Sequence, residues 1–269
     1  MLDRMFLTGG GIDSAWDVGT ASYVKNFSIA AQEANPTGVF FKPDGTAMYV
    51  IGVSGAAVYQ YFLSTAWDVG TTSYVKNFSI TAQENNPSGL FFKPDGTVMY
   101  VIGVTGDDVN QYSLSTAWDV GTATYVKVFS VVAQDTAPTG LFFKPDGTAM
   151  YVIGTTGDAV YQYSLSTAWD VGTASYVKNF SITAQETAPS GLFFKSDGTA
   201  MYVIGSTGDD INQYSLSTAW DIATASYVKN FSVAAQETIP QDVFFKPDGT
   251  AMYVIGVSAD TVYQYAIGT

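Results

Sequence analysis

The chain has 269 residues, of which 47% are hydrophobic, so it is long and apolar enough to fold around one continuous core. Its 24 acidic residues outnumber 11 Lys and Arg, and a formal net charge of −13 argues against nucleic acid partners, whose phosphates need cations. The absence of cysteine and histidine excludes disulfides, thiol nucleophiles and imidazole chemistry. No apolar run approaches membrane-spanning length, so membrane insertion is not expected.

A repeated unit follows residues 1–13, which we interpret as an N-terminal extension. Five tryptophans stand 51 residues apart, with no insertion or deletion between copies: Trp16, Trp67, Trp118, Trp169 and Trp220. Each period contains four short runs rich in β-branched and aromatic residues, which predict β-strands. Four strands in about 50 residues is the size of one propeller blade. Residues 14–269 are therefore predicted to form a single all-β domain, a five-bladed β-propeller.

The phase of the repeat predicts how the ring closes. The strands of the first copy are named by their expected distance from the axis: A is Gly38–Lys42, B is Met48–Val53, C is Val58–Leu63, and the outermost strand D is Tyr23–Ile29. The chain opens with a lone strand D and ends with strands A to C of the last copy. We expect the N-terminal strand to pair with the last blade, which leaves no open edge at the seam.

The most constant stretch of the repeat predicts a β-hairpin between strands A and B. In the third copy it reads PTGLFFKPDGTAMYVIG, from Pro138 to Gly154. Proline presets φ for the first central position of a turn, and Gly147 is expected at the positive-φ position.

This stretch, followed by the motif V-Y-Q-Y, resembles β-propeller repeats of the YVTN and NHL type, from about Ser14 to the end of the chain. The resemblance implies a propeller and assigns no function. The Trp-Asp dipeptides are similar to those of WD-repeat propellers, but that family's hydrogen-bond network requires a histidine. Five blades resemble tachylectin-type lectins in blade count and symmetry only, which transfers no residues.

Catalysis requires a unique constellation of residues, and almost every candidate here occurs five times. The sequence therefore predicts a protein that is not an enzyme, with no catalytic residue, cofactor or metal. One position departs from the repeat. Gly38, Gly89, Gly140 and Gly191 begin the innermost strands, where backbones converge, but the fifth copy has Asp242. With Gln241, it makes the fifth blade the one expected to carry a unique feature.

The copies differ most in the B–C and D–A loops, which lie on one face of a propeller because strands alternate in direction. This face is rich in acids. It is interpreted either as a surface for a polyhydroxylated ligand or cation, or as a solvated loop face. The second and fourth copies are expected to bind polar ligands best. The predicted ligand-binding residues are Glu84, Asp107, Asp108, Asn110, Asp135, Asp158, Tyr161, Glu186, Asp209, Asp210 and Asn212.

The opposite face carries the long C–D loops with the repeated tryptophans. These give an alternative ligand-binding set, because an indole can stack on a sugar: Trp16, Trp67, Trp118, Trp169 and Trp220. The competing interpretation is structural, in which each tryptophan anchors its loop against the blade and the following aspartate binds turn amides.

The combined pattern predicts a multivalent, non-catalytic binding module of lectin-like type, whose repeated weak sites gain avidity on a glycan or glycoprotein surface. The alternative is a structural or decorating subunit of a virion or cell surface with no small-molecule ligand. A monomeric ring, alone or within a larger assembly, and an extracellular or virion-associated location are the corresponding expectations.

Overall fold

The computed structural model describes residues 14–268, which form five four-stranded antiparallel sheets. The innermost strands of successive sheets contact one another, and that of the last sheet contacts that of the first, so the sheets form a closed ring. The prediction of a five-bladed propeller is confirmed. The predicted extension, residues 1–13, lies outside the described residues.

Each blade contributes strands A to D in chain order, and β1 is the strand D of the last blade. The strands are β1 Ser22–Ser28, β2 Pro36–Phe41, β3 Ala47–Gly52, β4 Ala57–Leu63, β5 Thr72–Ser79, β6 Pro87–Phe92, β7 Val98–Gly103, β8 Asp108–Leu114, β9 Ala123–Ser130, β10 Pro138–Phe143, β11 Ala149–Gly154, β12 Ala159–Leu165, β13 Ala174–Ser181, β14 Pro189–Phe194, β15 Ala200–Gly205, β16 Asp210–Leu216, β17 Ala225–Ser232, β18 Pro240–Phe245, β19 Ala251–Gly256 and β20 Thr261–Ala266.

Short 3₁₀ helices precede the outermost strands at Val18–Thr20, Val69–Thr71, Val120–Thr122, Val171–Thr173 and Ile222–Thr224. Within the described part of the chain, no helix has the length and apolarity needed to cross a membrane.

The seam of the ring lies in the blade that contains both ends of the described chain. Its strand order is β1-β20-β19-β18, so the first strand is the outer edge of the last blade. β1 pairs antiparallel with β20, and Phe27 lies opposite Val262 in the register. The predicted closure by the N-terminal strand is therefore confirmed.

Burial follows the position of each strand in its blade. Strands A and B are buried along almost their whole length, as in β2 and β3, because neighbouring blades cover both faces of these strands. The outermost strands, such as β5, are mostly exposed, and none of the residues of β5 is fully buried. The ring is therefore held together by apolar contacts between the inner halves of its blades.

The A–B turn has the predicted conformation, since Gly147 has a φ of 73°. The C–D loop of the same blade folds over this turn: Trp169 N donates a hydrogen bond to Gly147 O at 3.0 Å, and the indole packs against the glycine. Trp169 itself has a φ of 67°, an unfavourable conformation for a bulky residue. The contacts fit the structural interpretation of the repeated tryptophans.

The aspartate after each tryptophan caps the following 3₁₀ helix and links two blades. Asp119 accepts a hydrogen bond from Gly121 N at 2.9 Å and one from Lys76 Nζ, on strand D of the preceding blade, at 2.8 Å. The lysine hydrogen bond is the main reason why the pKa of Asp119 lies below its usual value.

Replacing this cap should have a measurable but moderate effect. We expect Asp119→Ala to lower the free energy of unfolding by about 1–2 kcal/mol, because it removes the cap of the 3₁₀ helix. Lys76→Ala should cost less than about 1 kcal/mol, since the ion pair is partly exposed. Urea denaturation of both variants measures this difference. An equal loss in the two variants would assign the effect to the ion pair and not to the cap.

Candidate functional site

The innermost strands approach one another closely at the end nearest the D–A loops. A Cβ atom on Gly38 would lie 3.3 Å from the Cα atom of Gly89 in the next blade, so glycine fits this position. The fifth blade has Asp242 here, beside Gly191. A β-bulge between Pro240 and Asp242 shifts the register with β19, but the equivalent bulge occurs in the other four blades, so the fifth blade differs here in its residue. The repeat is thus interrupted at the axis by one carboxylate.

Asp242 is bound by the backbone of two blades. Its Oδ2 accepts a hydrogen bond from Val39 N of the first blade at 3.0 Å, and its Oδ1 accepts one from Val243 N at 2.8 Å. The side chain is half-buried in the channel. Burial raises its pKa to about 7, although both amide hydrogen bonds favour the ionised form. A carboxyl group that titrates near neutral pH is suited to proton transfer.

A small cavity of about 20 Å³ lies beside Asp242 on the axis. This volume holds a single water molecule. The cavity is lined by Asp242, Gly89, Leu90, Gly140, Leu141 and equivalent residues of the other blades. Because Val39 N points at the axial carboxylate, the equivalent amides of Leu90 and Leu141 are directed to the same axis.

Below this cavity, five phenylalanines close the channel. Neighbouring rings pack edge to face with centroids 5.2–5.3 Å apart, in the order Phe40, Phe91, Phe142, Phe193 and Phe244. An apolar funnel of about 140 Å³ lies on the A–B side of this ring. The described residues therefore leave Asp242 open only towards the D–A side.

The mouth on the D–A side is a ring of hydroxyl groups with one exception. Thr37 Oγ1 donates a hydrogen bond to Pro87 O of the next blade at 2.8 Å, and Ser88, Thr139 and Ser190 make the same contact. The fifth blade has Gln241, whose Nε2 makes only a long contact of 3.5 Å to Ile239 O. A carboxamide and a titratable carboxyl group thus occur together at one place in the ring.

The predicted acids of the D–A loops lie on this face, but they are buried. Glu84 and Glu186 are 0% exposed and Asp135 is 1% exposed. Each accepts hydrogen bonds from loop amides: Asp135 Oδ1, for example, binds Ala137 N at 2.8 Å. The equivalent Glu33 and Glu237 are buried in the same way. These acids connect the D–A and B–C loops, and their role in ligand binding stays a prediction.

The other predicted residues of this face divide into two groups. Asp107, Asp158 and Asp209 occupy the B–C turns with positive φ. Residues at or near the start of strand C are more buried and bind one another or the D–A acid: Asn110 Nδ2 donates to Asp108 at 2.6 Å, Asn212 Nδ2 donates to Asp210 at 2.6 Å, and Tyr161 OH donates to Asp135 at 3.3 Å. The structure brings them together within blades and does not gather different blades into one site.

The alternative set lies on the opposite face. Trp16, Trp67, Trp118, Trp169 and Trp220 each pack against the glycine of an A–B turn. Three pockets of about 300, 330 and 450 Å³ lie between blades beside Trp16, Trp220 and Trp118. In each of these pockets, the strand D lysine and the aspartate form an ion pair, as Lys76 does with Asp119. Ligand binding by the tryptophans stays a prediction.

Charge is divided sharply between the two faces. All ten lysines lie on the side of the A–B and C–D loops, and each is within 2.8 Å of an aspartate. The D–A and B–C side has no lysine or arginine among residues 14–268. It carries twelve acids: Glu33, Glu84, Asp107, Asp108, Asp135, Asp158, Glu186, Asp209, Asp210, Glu237, Asp242 and Asp260.

A family model described as a lactonase with a 7-bladed β-propeller matches residues 83–269. The chain belongs to this lactonase family. It departs from the description in having five blades, which makes the axial channel narrow. The match supports a propeller and does not test the finer resemblance to YVTN and NHL repeats. No curated protein sequence matches the chain.

Solved structures similar to this lactonase-family propeller share its fold at low identity. A protein from Lactobacillus plantarum is 15% identical with a TM-score of 0.53, over 86% of this chain and 67% of that one. A Bacteroides uniformis protein described as a putative 6-phosphogluconolactonase is 14% identical with a TM-score of 0.51, over 86% and 67%. The Pseudomonas aeruginosa periplasmic gluconolactonase is 16% identical with a TM-score of 0.50, over 87% and 68%.

Membership of a lactonase family corrects three expectations from the sequence. The predictions of a non-catalytic lectin-like module, of a structural virion or cell-surface subunit, and of a protein that is not an enzyme are wrong. They rested on the fivefold repetition of polar residues. Asp242 and Gln241 interrupt that repetition, and this visible departure pointed to the candidate site without identifying its chemistry.

Proposed function

We propose that this lactonase-family propeller hydrolyses an uncharged lactone at the D–A mouth of its channel, with Asp242 as general base. One observation carries the proposal: a single unrepeated carboxyl group with a pKa of about 7 lies beside a cavity for one water molecule. The cavity is too small for a lactone ring. The lactone would therefore bind at the mouth, and the water that attacks it would occupy the cavity.

The reaction needs one group that accepts and then returns a proton. Asp242 would remove a proton from the water as its oxygen attacks the lactone carbonyl carbon, which gives a tetrahedral oxyanion. When the ring C–O bond breaks, the protonated Asp242 would return the proton to the leaving alkoxide oxygen. The product is the open-chain hydroxy acid, and Asp242 ends in its starting state.

Gln241 is the candidate positioning group for the lactone carbonyl. Its side-chain amide is a hydrogen-bond donor at the mouth, and its contact of 3.5 Å to Ile239 O is too long to hold it firmly. A donor directed at the developing oxyanion stabilises the transition state more than the ground state.

The charge of this face favours an uncharged substrate. Twelve acids and no lysine lie on the side from which a substrate approaches, and like charge lowers the local concentration of an anion. A phosphorylated lactone, which carries close to two negative charges, should therefore react more slowly than its uncharged counterpart, by about tenfold or more at low salt. The difference should narrow as salt is added.

The test is a ring-opening assay with glucono-δ-lactone and its 6-phosphorylated form, corrected for spontaneous hydrolysis. We expect kcat/KM for the uncharged lactone to rise with pH around 7. Asp242→Asn should lower kcat by about 10²–10⁴-fold. Gln241→Thr, which restores the residue of the first and third blades, should lower it by a smaller factor. Asp146→Asn, on the opposite face, is the control and should leave activity unchanged.

Two results would count against the proposal. If the wild-type protein opens neither lactone faster than buffer, the proposed reaction is wrong for these substrates. If Asp242→Asn retains full activity, the reaction occurs at another site. Faster turnover of the phosphorylated lactone would contradict only the inference about substrate charge.

A further inference from the structure

In the first and third blades, both carboxylate oxygens of the buried D–A acid accept hydrogen bonds. In the first blade Glu33 Oε1 accepts hydrogen bonds from Asn35 N and Ser54 N, both at 2.9 Å, and Oε2 accepts one from Gly55 N at 3.0 Å. In the third blade Asp135 Oδ2 accepts hydrogen bonds from Gly157 N and, at 3.3 Å, from the hydroxyl of Tyr161. A buried carboxylate normally requires this level of satisfaction.

The second and fourth blades lack part of this network. Glu84 Oε2 and Glu186 Oε2 are buried and have no hydrogen-bond partner among the described residues. Both glutamates are 0% exposed. The tyrosine found in the first and third blades is replaced by Asn110 and Asn212. Each even-numbered blade therefore contains a buried carboxylate oxygen without a donor, which is energetically costly.

A second carboxylate takes the place of the missing hydroxyl. A Cβ atom on Gly55 would overlap the Tyr59 hydroxyl, and one on the equivalent Gly106 would overlap Asp108 Oδ2. In the fourth blade the same Cβ atom, on Gly208, would lie 2.9 Å from Asp210 Oδ2. Because the loops are equivalent, Asp108 and Asp210 direct an oxygen towards the region where a tyrosine hydroxyl meets the buried acid in other blades.

Among residues 14–268, no protein cation compensates the resulting carboxylate pairs, since all ten lysines lie on the other face. Glu237 Oε2 in the fifth blade also lacks a partner, but Thr261 stands where the second acid would be. Among residues 14–268, only the second and fourth blades combine an unpartnered oxygen of the D–A acid with an acid at the position of Asp108.

We propose that the second and fourth blades each bind one Ca²⁺ ion, between Glu84 and Asp108 and between Glu186 and Asp210. The donors are carboxylate oxygens, which suit a hard cation, and Asn110 and Asn212 hold the aspartates in place by donating hydrogen bonds from Nδ2 to Asp108 Oδ1 and Asp210 Oδ1. Residues 14–268 contain no group of three or more Asp, Glu, His or Cys placed to hold a metal. With two carboxylates per ion, the affinity falls in the weak range for Ca²⁺ sites, about 10⁻⁴–10⁻³ M.

The two sites differ in one neighbouring residue, which makes the second blade the stronger site. In the fourth blade Asn230 Nδ2 donates a hydrogen bond of 2.5 Å to Asp210 Oδ2 and competes with a cation for that oxygen. Val128 occupies the equivalent position opposite Asn110 in the second blade. Asp108 Oδ2 receives no hydrogen bond from the described residues and is free to bind the ion.

The test is calorimetric titration of the wild-type protein with CaCl₂ at pH 7.5, together with melting temperatures at 0 and 10 mM Ca²⁺. The decisive variant is Asp108→Ala/Asn110→Tyr, which gives residues 107–110 the sequence of residues 158–161 in the third blade and so should fold. Asp210→Ala/Asn212→Tyr makes the equivalent changes in the fourth blade. Asp158→Asn removes one charge from the same face without touching either pair and controls for general attraction of cations.

We expect two sites in the wild-type protein and in Asp158→Asn, one weaker site when the second blade is changed, and none when both blades are changed. Ca²⁺ should raise the melting temperature most in the wild-type protein and in Asp158→Asn. The rise should be smaller when one blade is changed and absent when both are changed. The proposal is overturned if the wild-type protein gives no binding heat and Ca²⁺ leaves its melting temperature unchanged. It is also overturned if both substituted blades leave the stoichiometry at two.

Discussion

Replacing Asp242 by glycine should stabilise the protein at pH 8 by about 3 kcal/mol and should give no stabilisation at pH 4. The pKa of this carboxyl group rises from 3.8 to about 7 in the folded protein, because ionisation at the channel axis is unfavourable. A shift of that size corresponds to about 4 kcal/mol at pH values above 7. Glycine costs about 1 kcal/mol of backbone entropy in a strand, which accounts for the smaller net gain.

The direction of the pH dependence follows from proton binding. Between pH 3.8 and about 7 the folded protein retains a proton that the unfolded chain has released. The contribution of Asp242 to stability is therefore complete below pH 3.8 and is lost as the pH rises through 7. The glycine variant lacks this loss, so its advantage over the wild-type protein should grow with pH.

Urea denaturation at pH 4, 6 and 8 measures this trend. Asp146→Asn is the matched control, because hydrogen bonds from Lys144 and Thr148 outweigh burial and lower the pKa of Asp146 to about 2. Its effect should be constant over the same pH range. The stability difference between the glycine variant and the wild-type protein could instead stay constant with pH. That outcome would show that folding does not raise the pKa of Asp242. That result would also remove the basis for its role as a base at neutral pH.

The fold could be predicted because its determinants are local and repeated. The Pro-Asp-Gly turn requires a positive φ at its glycine, and Gly147 has it. The seam followed from counting strands at the two ends, since β1 alone can complete the sheet of β18, β19 and β20. Both the turn and the seam could be inferred without knowing how the blades pack against one another.

The candidate site could be predicted only in part, because its chemistry depends on packing between blades. The sequence shows that Asp242 interrupts a row of glycines. It does not show that Val39 of another blade binds the carboxylate, or that the channel leaves room for one water molecule. The burial of Glu84 was also not foreseen, because the loop amides that it satisfies lie 21 residues further along the chain, as in Thr105.

The second large expected effect concerns the closure of the propeller by the N-terminal segment, and it is measured as a loss of unfolding free energy. We expect Trp16→Ala to lower the free energy of unfolding as much as Trp118→Ala, by about 3–5 kcal/mol in each case. Trp16 is contributed by the N-terminal segment, yet its contacts match those of the internal copy. Trp16 N binds Gly249 O and Trp118 N binds Gly96 O, both at 3.0 Å. Their rings pack against Phe245 and Phe92, with ring centroids 5.7 and 5.6 Å apart.

Both tryptophans have the same strained backbone, with φ of 69° and 66°. The two alanine variants therefore differ mainly in whether the loop is held by the N-terminal segment or by a continuous blade. Urea denaturation monitored by circular dichroism gives the two free energies. If β1 were detached in solution, Trp16→Ala would cost far less than Trp118→Ala. Deletion of residues 1–29 tests the same point more severely, since it leaves β20 as an unpaired edge and should cause association that light scattering detects.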